Sequence, residues 1–378
     1  MNLLNKESII QHVTKLAKNP IIIQKENFNC DFLLTFEKCL KTCFDLQHPD
    51  TNADVNMSWK DRFFDVDCIL DYIHDELNTD MGLLLGAPIK ENPELLNESA
   101  KYLQVQLNCL ETRLEGPAET LKRKLQDDDM GLDQEFNELR GVKVETRELP
   151  SIETFNKNFF IPQIPVKLTG CMAHWPASTK WLDVNYLLNV AGSRTVPIEI
   201  GSHYTDESWS QKLMTLKDFI SQHYLSKSGK IGYLAQHNLF DQITELREDI
   251  RVPDYCCCSL NYLESSEPDI NAWLGPKGTV SPLHQDPKNN ILAQVYGTKR
   301  LLLFSPEDTP YLYPHGEKML SNTAQVDPLK PDDKFPDFNK AKMYKCLLQP
   351  GEMLFIPQKW WHHVTALDKS FSVSFWWQ

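Results

Sequence analysis

The sequence predicts an α+β protein in which a helical amino-terminal domain precedes a β-barrel. In the first 125 residues, apolar side chains recur at steps of three and four, which is typical of amphipathic helices. The carboxyl-terminal stretch instead reads as short strands, LLQPGEMLFIPQKWWHHVTALDKSFSVSFWW, with Pro350 and Gly351 as a turn. Within it, SFSVSFWW alternates strictly between small polar and apolar residues, as a strand does. With 378 residues, one large domain and a smaller one are expected.

The amino-terminal helices are predicted from SIIQHVTKLAK, FLLTFEKCLKTCFDLQ, WKDRFFDVDCILDYIHDEL and ENPELLNESAKYLQVQLNCLETRLEG. We therefore assign residues 1–125 to a helical accessory domain. The acidic run QDDDMGLDQEFNELRG begins a predicted linker, residues 126–146, because it is charged, contains glycine and is poor in core residues. Residues 147–378 form the second predicted domain.

The local structure of two further segments of the second domain can be predicted from their sequence. IPVKLTGCMAHWPASTKWLDVNYLL predicts a strand, a turn at Trp175 and Pro176, and then a helix. Residues 311–342 are rich in proline and aspartate, which predicts a long surface insertion. His315 in this insertion has no spaced partner, so it is interpreted as structural or exposed.

Composition limits the classes of partner. A net charge of −13 makes nucleic acid a poor partner, since a phosphate backbone calls for a basic face, and weakly favours a basic protein substrate. No apolar run has the length of a membrane span, and the amino terminus is too polar for a signal peptide. The ten cysteines show no paired CxxC spacing of a zinc site, which favours a reducing compartment inside the cell.

The candidate chemistry lies in His284 and Asp286, followed far downstream by His362. On a strand, residues two apart share a face, so His284 and Asp286 point the same way. A second histidine from another strand would complete a set of two imidazoles and one carboxylate, the ligand set of non-heme Fe(II) that activates O2. Adjacent strand residues face opposite sides, so only one of His362 and His363 can point inward.

Lys299 follows the next strand-like segment and could pair with a carboxylate of a co-substrate. The alternative from sequence alone is a solvated lysine at a turn. A zinc ion with the same three ligands is possible in principle, but it would leave Lys299 without a role.

Several segments resemble JmjC-domain oxygenases: PIEIGSHYTDESWSQ, GYLAQHNLFDQI, INAWLGPKGTVSPLHQDP, LYPH and SFSVSFWW. The resemblance is strong from about Arg147 to Gln378. It implies a cupin-type double-stranded β-helix that uses Fe(II), 2-oxoglutarate and O2. It also implies that the catalytic iron ligands are His284, Asp286 and His362, since the family's ligand directly follows the tryptophan. The implied contacts of 2-oxoglutarate are Tyr233, Ser281, Asn290 and Lys299.

Glu199, Trp209 and Trp273 are similar to positions that line the substrate pocket in this family. A carboxylate flanked by indoles suits a guanidinium, which favours hydroxylation of arginine in a protein substrate. Aromatic residues also form methyl-lysine cages, so histone lysine demethylation is an alternative. A third hypothesis is a cupin-like scaffold without turnover, against which the complete ligand set and Lys299 argue. Such an enzyme is expected in the nucleus, the cytoplasm or both.

Overall fold

The computed structural model describes residues 136–201, 209–226, 231–260, 267–316 and 320–378, and the single positions 97, 100, 101, 104 and 105. The chain divides into two compact units, Met1–Ala118 and Glu119–Gln378. Apart from those single positions, the predicted amino-terminal helices lie outside the described residues. The helical domain and its boundary at residue 125 therefore stay predictions.

The second unit is built mainly from strands. In chain order they are β1 Val142–Lys143, β2 Glu145–Glu148, β3 Val166–Thr169, β4 Thr195–Ile200, β5 Ser210–Thr215, β6 Gly232–His237, β7 Asp269–Gly275, β8 Val280–Gln285, β9 Asn289–Tyr296, β10 Lys299–Phe304, β11 Tyr344–Leu348, β12 Met353–Ile356, β13 Trp361–Ala366 and β14 Ser370–Trp377.

The helices are short. They are α1 Ile152–Phe155, α2 Ala177–Lys180, α3 Val184–Ala191, α4 Leu216–Phe219, α5 Leu239–Gln242, α6 Thr244–Glu248 and α7 Thr309–Leu312. π-helical turns follow α1 and α4 at Asn156–Phe160 and Ile220–Tyr224, and 3₁₀ turns lie at Asp254–Cys257, Pro306–Asp308 and Pro336–Lys340. No helix in the described ranges is long and apolar enough to span a membrane.

The strands form two sheets. The minor sheet has the order β1-β11-β10-β13-β8, and the major sheet has the order β2-β3-β12-β9-β14-β7-β6-β4-β5. Neighbouring strands are antiparallel, except for the parallel pairs β1 with β11 and β2 with β3. Two mixed sheets of this kind fit the double-stranded β-helix that the sequence predicted.

Alternation along the strands divides the core into three apolar layers, one between the two sheets and one on the outer face of each sheet. The space between the sheets contains Leu292 of the major sheet and Leu301 and Leu303 of the minor sheet. The outer face of the major sheet packs against the helices, and the buried side chains of this layer include Trp181, Phe240, Phe371, Val373 and Phe375. On β9, Leu292 faces the inner layer whereas Ile291 and Ala293 face the helices, as period two requires.

The alternation of SFSVSFWW has the same cause. Phe371, Val373 and Phe375 belong to the helix-facing core, whereas the serines between them face the space between the sheets. There, Ser372 donates to Gln294 Oε1 at 2.7 Å, and Ser374 accepts from Trp273 Nε1 at 2.8 Å. The barrel interior is therefore partly polar.

The segment 311–342 is not only a surface insertion. Its side chains Val326, Phe335 and Phe338 are buried against Leu302 and Phe304 on the outer face of the minor sheet. The expectation of a purely surface segment is wrong for these residues, because that face of the minor sheet is apolar and needs a cover.

The same segment also holds the free edge of β8. Gln285 donates its backbone N–H to Asn322 at 2.9 Å, and Ala324 donates to the carbonyl of Leu283 at 2.8 Å. These bonds fix the strand that carries His284.

The end of the predicted linker contributes strands to both sheets. β1 pairs with β11, and β2 pairs with β3. The buried ammonium of Lys345 donates to the carbonyl oxygens of Phe136, Asn137 and Leu139 at 2.9, 3.2 and 2.5 Å. The residues from 136 onward are thereby fastened to the minor sheet.

Candidate active site

The predicted ligands His284, Asp286 and His362 lie together at one end of the barrel. His284 is near the end of β8, Asp286 follows that strand, and His362 is on β13. The register pairs His284 directly with His362, which brings their ring centroids to 4.2 Å. The potential ligand atoms of all three residues lie within 4.8 Å of one another.

Backbone carbonyls fix the orientation of both imidazoles. Nδ1 of His284 lies 2.7 Å from the carbonyl oxygen of Pro282, and Nδ1 of His362 lies 3.0 Å from that of Trp360. A carbonyl only accepts, so Nδ1 carries a proton in each ring, which leaves Nε2 as the atom available to a metal. The Nε2 atoms of His284 and His362 lie 4.0 Å and 3.6 Å from Oδ2 of Asp286.

This arrangement fits a divalent metal. Oδ2 of Asp286 is buried without a hydrogen-bond partner, and the imidazole nitrogens are too far away to donate to it. Burial, and then the nearby His284, lower the pKa of His362, which keeps this ring neutral as a metal ligand must be. Two neutral imidazoles and one carboxylate suit Fe(II). Within the described ranges, no other group of three such side chains is placed to hold an ion.

The structure separates His362 from His363. His362 lines the pocket beside His284, whereas His363 is the next residue along β13 and is absent from the pocket wall. Burial lowers the pKa of His363 to about 4. The choice of His362, which the sequence left to the family resemblance, agrees with this geometry.

The cluster opens into a pocket of about 360 Å³, part of which is open to solvent. Its wall comes from both sheets and consists of Tyr233, Trp273, Ser281, His284, Asp286, Asn290, Leu292, Lys299, Ile356, His362, Val364 and Trp376. All four residues that the resemblance implied as 2-oxoglutarate contacts are present in this wall.

Lys299 is the cation of the pocket. It is the first residue of β10 and is 2 % exposed. Its Nζ donates to the hydroxyl of Tyr233 at 3.3 Å. The alternative of a solvated lysine is therefore wrong. Burial lowers the pKa of Lys299 to about 7, because a charged amine is poorly solvated there.

The polar atoms around Lys299 fit a dicarboxylate. Lys299 makes no ion pair with any residue that the structure describes. Asn290 lines the same pocket and can donate from its amide Nδ2. Burial, and then the charge of Glu199, raise the pKa of Tyr233, so its hydroxyl keeps its proton. A buried amine, a phenol and an amide can together satisfy a carboxylate ligand such as 2-oxoglutarate.

Of the three predicted substrate residues, one lies in the pocket wall and two lie beside the pocket. Trp273 lines the pocket, and its ring centroid lies 6.1 Å from that of Tyr233. Glu199 is on β4, directly opposite Tyr233 on β6, and its Oε2 accepts from Trp209 Nε1 at 3.3 Å. Burial raises the pKa of Glu199. Glu199 and Trp209 thus neighbour the pocket rather than line it.

Sequence reasoning missed the remaining wall residues, which are Leu292, Ile356, Val364 and Trp376. The indole nitrogen of Trp376 is buried without a hydrogen-bond partner. Its place could have been found, because the alternation of SFSVSFWW puts Trp376 on the same face as Ser374. The apolar residues carry no such signal, since many similar side chains fill the core.

Known proteins resemble this chain closely. Residues 152–378 match the cupin-like domain family. Lysine-specific demethylase 8 of Danio rerio is 44% identical over 349 residues, which cover 86% of this chain and 83% of that protein. Jumonji C domain-containing protein 5 of Drosophila melanogaster is 51% identical over 236 residues, covering 61% of this chain and 59% of the fly protein. The chain belongs to the JmjC family of 2-oxoglutarate-dependent dioxygenases.

Within the JmjC family, the relatives place the chain in the group of lysine-specific demethylase 8, also named Jumonji C domain-containing protein 5. The protein of this group from Xenopus tropicalis is 55% identical over 229 residues, or 60% of this chain. This chain spans about half of that relative's length, 51%. The quoted segments of the sequence predicted the same family, and this prediction is confirmed.

Proposed function

We propose that this JmjC dioxygenase hydroxylates arginine side chains in protein substrates, converting 2-oxoglutarate and O2 to succinate and CO2. The observation that carries the proposal is the environment of Glu199. This carboxylate is partly buried and accepts from Trp209, yet no salt bridge pairs it with a cation in the part of the chain that the structure describes. A partly buried charge without a counter-charge is unfavourable, so a cationic ligand is the natural partner.

A guanidinium suits this place better than a neutral group does. It can donate two parallel hydrogen bonds to the carboxylate and stack on an indole face. Trp209 already contacts Glu199, and Trp273 lies on the pocket wall across β6 from it. The expected partners are therefore basic, arginine-containing proteins or peptides, encountered in the nucleus, the cytoplasm or both.

The residues of the pocket have separate tasks. His284, Asp286 and His362 would hold the iron, and the bonds from Nδ1 to the backbone keep both Nε2 atoms directed at it. Lys299, Tyr233, Ser281 and Asn290 would bind 2-oxoglutarate. Iron with 2-oxoglutarate and O2 supplies the oxidising chemistry that places one oxygen atom on a substrate carbon and the other in succinate. The apolar side chains Leu292, Ile356 and Val364 exclude water beside the ligands.

Lysine demethylation is the second candidate. It is favoured by the names of relatives in Xenopus tropicalis, Danio rerio and Arabidopsis thaliana, all called lysine-specific demethylases. Tyr233 and Trp273 would then contribute to an aromatic surface for a methylated ammonium, for example on a histone. The same iron ligands would serve both reactions.

Mass spectrometry of peptides incubated with the protein, Fe(II) and 2-oxoglutarate distinguishes these functions. A gain of one oxygen on arginine supports the proposal, and loss of methyl from lysine supports the alternative. Asp286→Ala must abolish both products and succinate. Glu199→Gln should raise the KM for an arginine peptide by about thirtyfold, since it removes a charge partner that is worth about 2 kcal/mol. If the wild-type protein forms neither succinate nor a modified peptide, the proposal is wrong and a scaffold without turnover remains.

A further inference from the structure

β5 presents an open edge of the major sheet. It pairs with β4 along its whole length, from Thr195 opposite Thr215 to Ile200 opposite Ser210. Among the described residues, no strand pairs with its other side. Residues 210–213 are exposed. In an antiparallel pair, every second residue directs its N–H and C=O away from the partner, so this edge offers unused donors and acceptors.

A row of side chains connects this edge with the candidate active site. Glu199 of β4 lies opposite Gln211 of β5 on one side and opposite Tyr233 of β6 on the other. Residues directly opposite each other share a face of the sheet. Neighbouring strands are about 4.8 Å apart, so β5 lies about 10 Å from β6. Tyr233 in turn contacts Lys299 in the pocket.

An apolar side chain extends along the same face. Leu213 is two residues beyond Gln211, so it shares the face of Gln211 and Glu199, and it is 45% exposed. Trp209 precedes β5 and donates to Glu199. Together, these residues form a shelf, defined here as Glu199, Trp209, Gln211 and Leu213, which leads from the edge towards the pocket.

We propose that β5 receives the substrate polypeptide as an added strand. Main-chain hydrogen bonds to the open edge would hold the segment that flanks the target residue, and an apolar side chain of that segment would contact Leu213. This proposal rests on the proposed protein hydroxylase function and adds the surface that selects an extended substrate. A disordered or extended region of a substrate protein fits the edge, because its main-chain donors and acceptors are free to pair.

An extended peptide suits this edge better than a second copy of the chain does. Lys212 lies near the middle of β5 and is exposed. Symmetric antiparallel pairing of two β5 strands would bring the two Lys212 ammonium groups close together, which is unfavourable. A peptide strand can place a neutral or acidic residue opposite Lys212, because only its target residue has to be an arginine.

Leu213→Ser tests the shelf, with Leu182→Ser as the matched control because Leu182 is similarly exposed, 48% against 45%. The probe is the arginine peptide that the wild-type protein hydroxylates best in a pool with randomised flanks. Leu213→Ser should raise its KM by about tenfold, whereas Leu182→Ser should leave it unchanged. Succinate formation without peptide should be the same in Leu182→Ser and in the wild-type protein.

A second test changes the peptide and leaves the protein intact. N-methylation at single flanking positions removes one main-chain donor at a time, so KM should rise at every second position and stay level between them. The added-strand proposal is overturned if KM is the same for every N-methylated position and also equal for the two serine variants. Hydroxylation by the wild-type protein would still uphold the proposed function in that case. A dimer that Leu213→Ser dissociates, observed by analytical ultracentrifugation, would also overturn it and assign the edge to a second copy.

Failure of the proposed function is recognised separately. If the wild-type protein modifies no peptide of the pool, hydrogen exchange of residues 209–215, measured with and without the pool, shows whether a peptide binds at the edge of β5. Protection of these amides by peptide supports the added strand, and unchanged exchange overturns it.

Discussion

At the residue scale, the surroundings of Lys299 suit a carboxylate ligand. The amine is buried, and among the described residues its hydrogen-bond partner is the neutral hydroxyl of Tyr233. Burial lowers its pKa to about 7. The folded protein therefore binds the proton of Lys299 less tightly than the unfolded chain does. A carboxylate in the pocket would restore the charged form and offset this unfavourable burial.

The affinity for 2-oxoglutarate should accordingly depend on pH. Below about pH 7 the ligand meets an ammonium, and above it a neutral amine, so affinity should fall as the pH rises, by at most about tenfold per unit. Titration with Mn(II) in place of iron, without turnover, measures this from about pH 6 to about pH 9. Lys299→Arg should remove the dependence, because a guanidinium stays protonated. An affinity of the wild-type protein that does not change with pH contradicts the assignment of Lys299.

Lys359 is a second residue under constraint. It has φ = 62°, a left-handed conformation that a residue with a Cβ rarely adopts, and its N–H donates to the carbonyl of Asp286 at 2.7 Å. The turn before β13 thus holds the backbone of a predicted iron ligand. Backbone strain beside a functional group is a common arrangement.

Replacing Lys359 by glycine should stabilise the protein by up to about 1 kcal/mol, because glycine adopts positive φ without strain. Lys359→Ala is the control, since it removes the charge and keeps the strain. Lys359→Pro should weaken metal binding, because it removes the N–H that holds Asp286 and cannot adopt this φ. Denaturant unfolding and metal titration measure these effects. Equal stability of the glycine and alanine variants would show that the turn is unstrained.

At the scale of elements, Asp249 joins the helices that cover the major sheet. Its carboxylate is 1 % exposed and lies just after α6. It accepts from Lys180 Nζ at 2.6 Å, Trp181 Nε1 at 3.0 Å and the hydroxyl of Tyr186 at 2.5 Å. One side chain therefore ties α2 and α3 to the end of α6, on the side of the sheet that faces away from the pocket.

Asp249→Ala should destabilise the fold by about 3 kcal/mol, since it leaves the buried indole N–H of Trp181 without an acceptor and the ammonium of Lys180 without its counter-charge. Glu248→Ala is the matched control, because Glu248 is exposed and adjacent, and its effect should stay within about 0.5 kcal/mol. Denaturant unfolding compares the two. Similar losses in both variants would contradict this role of Asp249.

At the scale of the molecule, the predicted metal ligands come from two strands that are remote in sequence and adjacent at one end of the minor sheet. His284 and Asp286 come with β8, whereas His362 comes with β13, and the two strands pair side by side. A ligand that binds only when these strands are paired must stabilise the whole unit, because the unfolded chain cannot hold the three groups together.

Mn(II) and 2-oxoglutarate should therefore raise the Tm. At about a hundredfold excess over Kd the gain is about 2.7 kcal/mol, or a few degrees for a unit of this size. Asp286→Ala should lose the response, whereas Asp332→Ala should keep it, because Asp332 is exposed in the segment beyond the site. Chelation should return the wild-type Tm to its original value. A Tm that is the same with and without metal would contradict the assigned ligands.

Local sequence patterns were sufficient to predict secondary structure and strand faces where the pattern is regular along the chain. The alternation of SFSVSFWW predicted β14 and its two faces, and the Pro350–Gly351 turn lies between β11 and β12 as expected, with Gly351 at φ = +84°. They were insufficient for the segment 311–342, where Phe335 and Phe338 are buried. Proline and aspartate report an irregular backbone, but they do not report that an apolar sheet face lies beneath it.

By itself, the sequence determined the family and predicted the chemistry-bearing residues, from the spacing of His284 and Asp286 and the later His362. Only the tertiary structure decided which groups share one pocket. Among the residues that the structure describes, it placed His362 rather than His363 against His284 and Asp286, buried Lys299, and left one edge of β5 unpaired next to Glu199. The physical reason is that side-chain direction follows from period two along a strand, whereas burial and charge pairing depend on which strands become neighbours in the sheets.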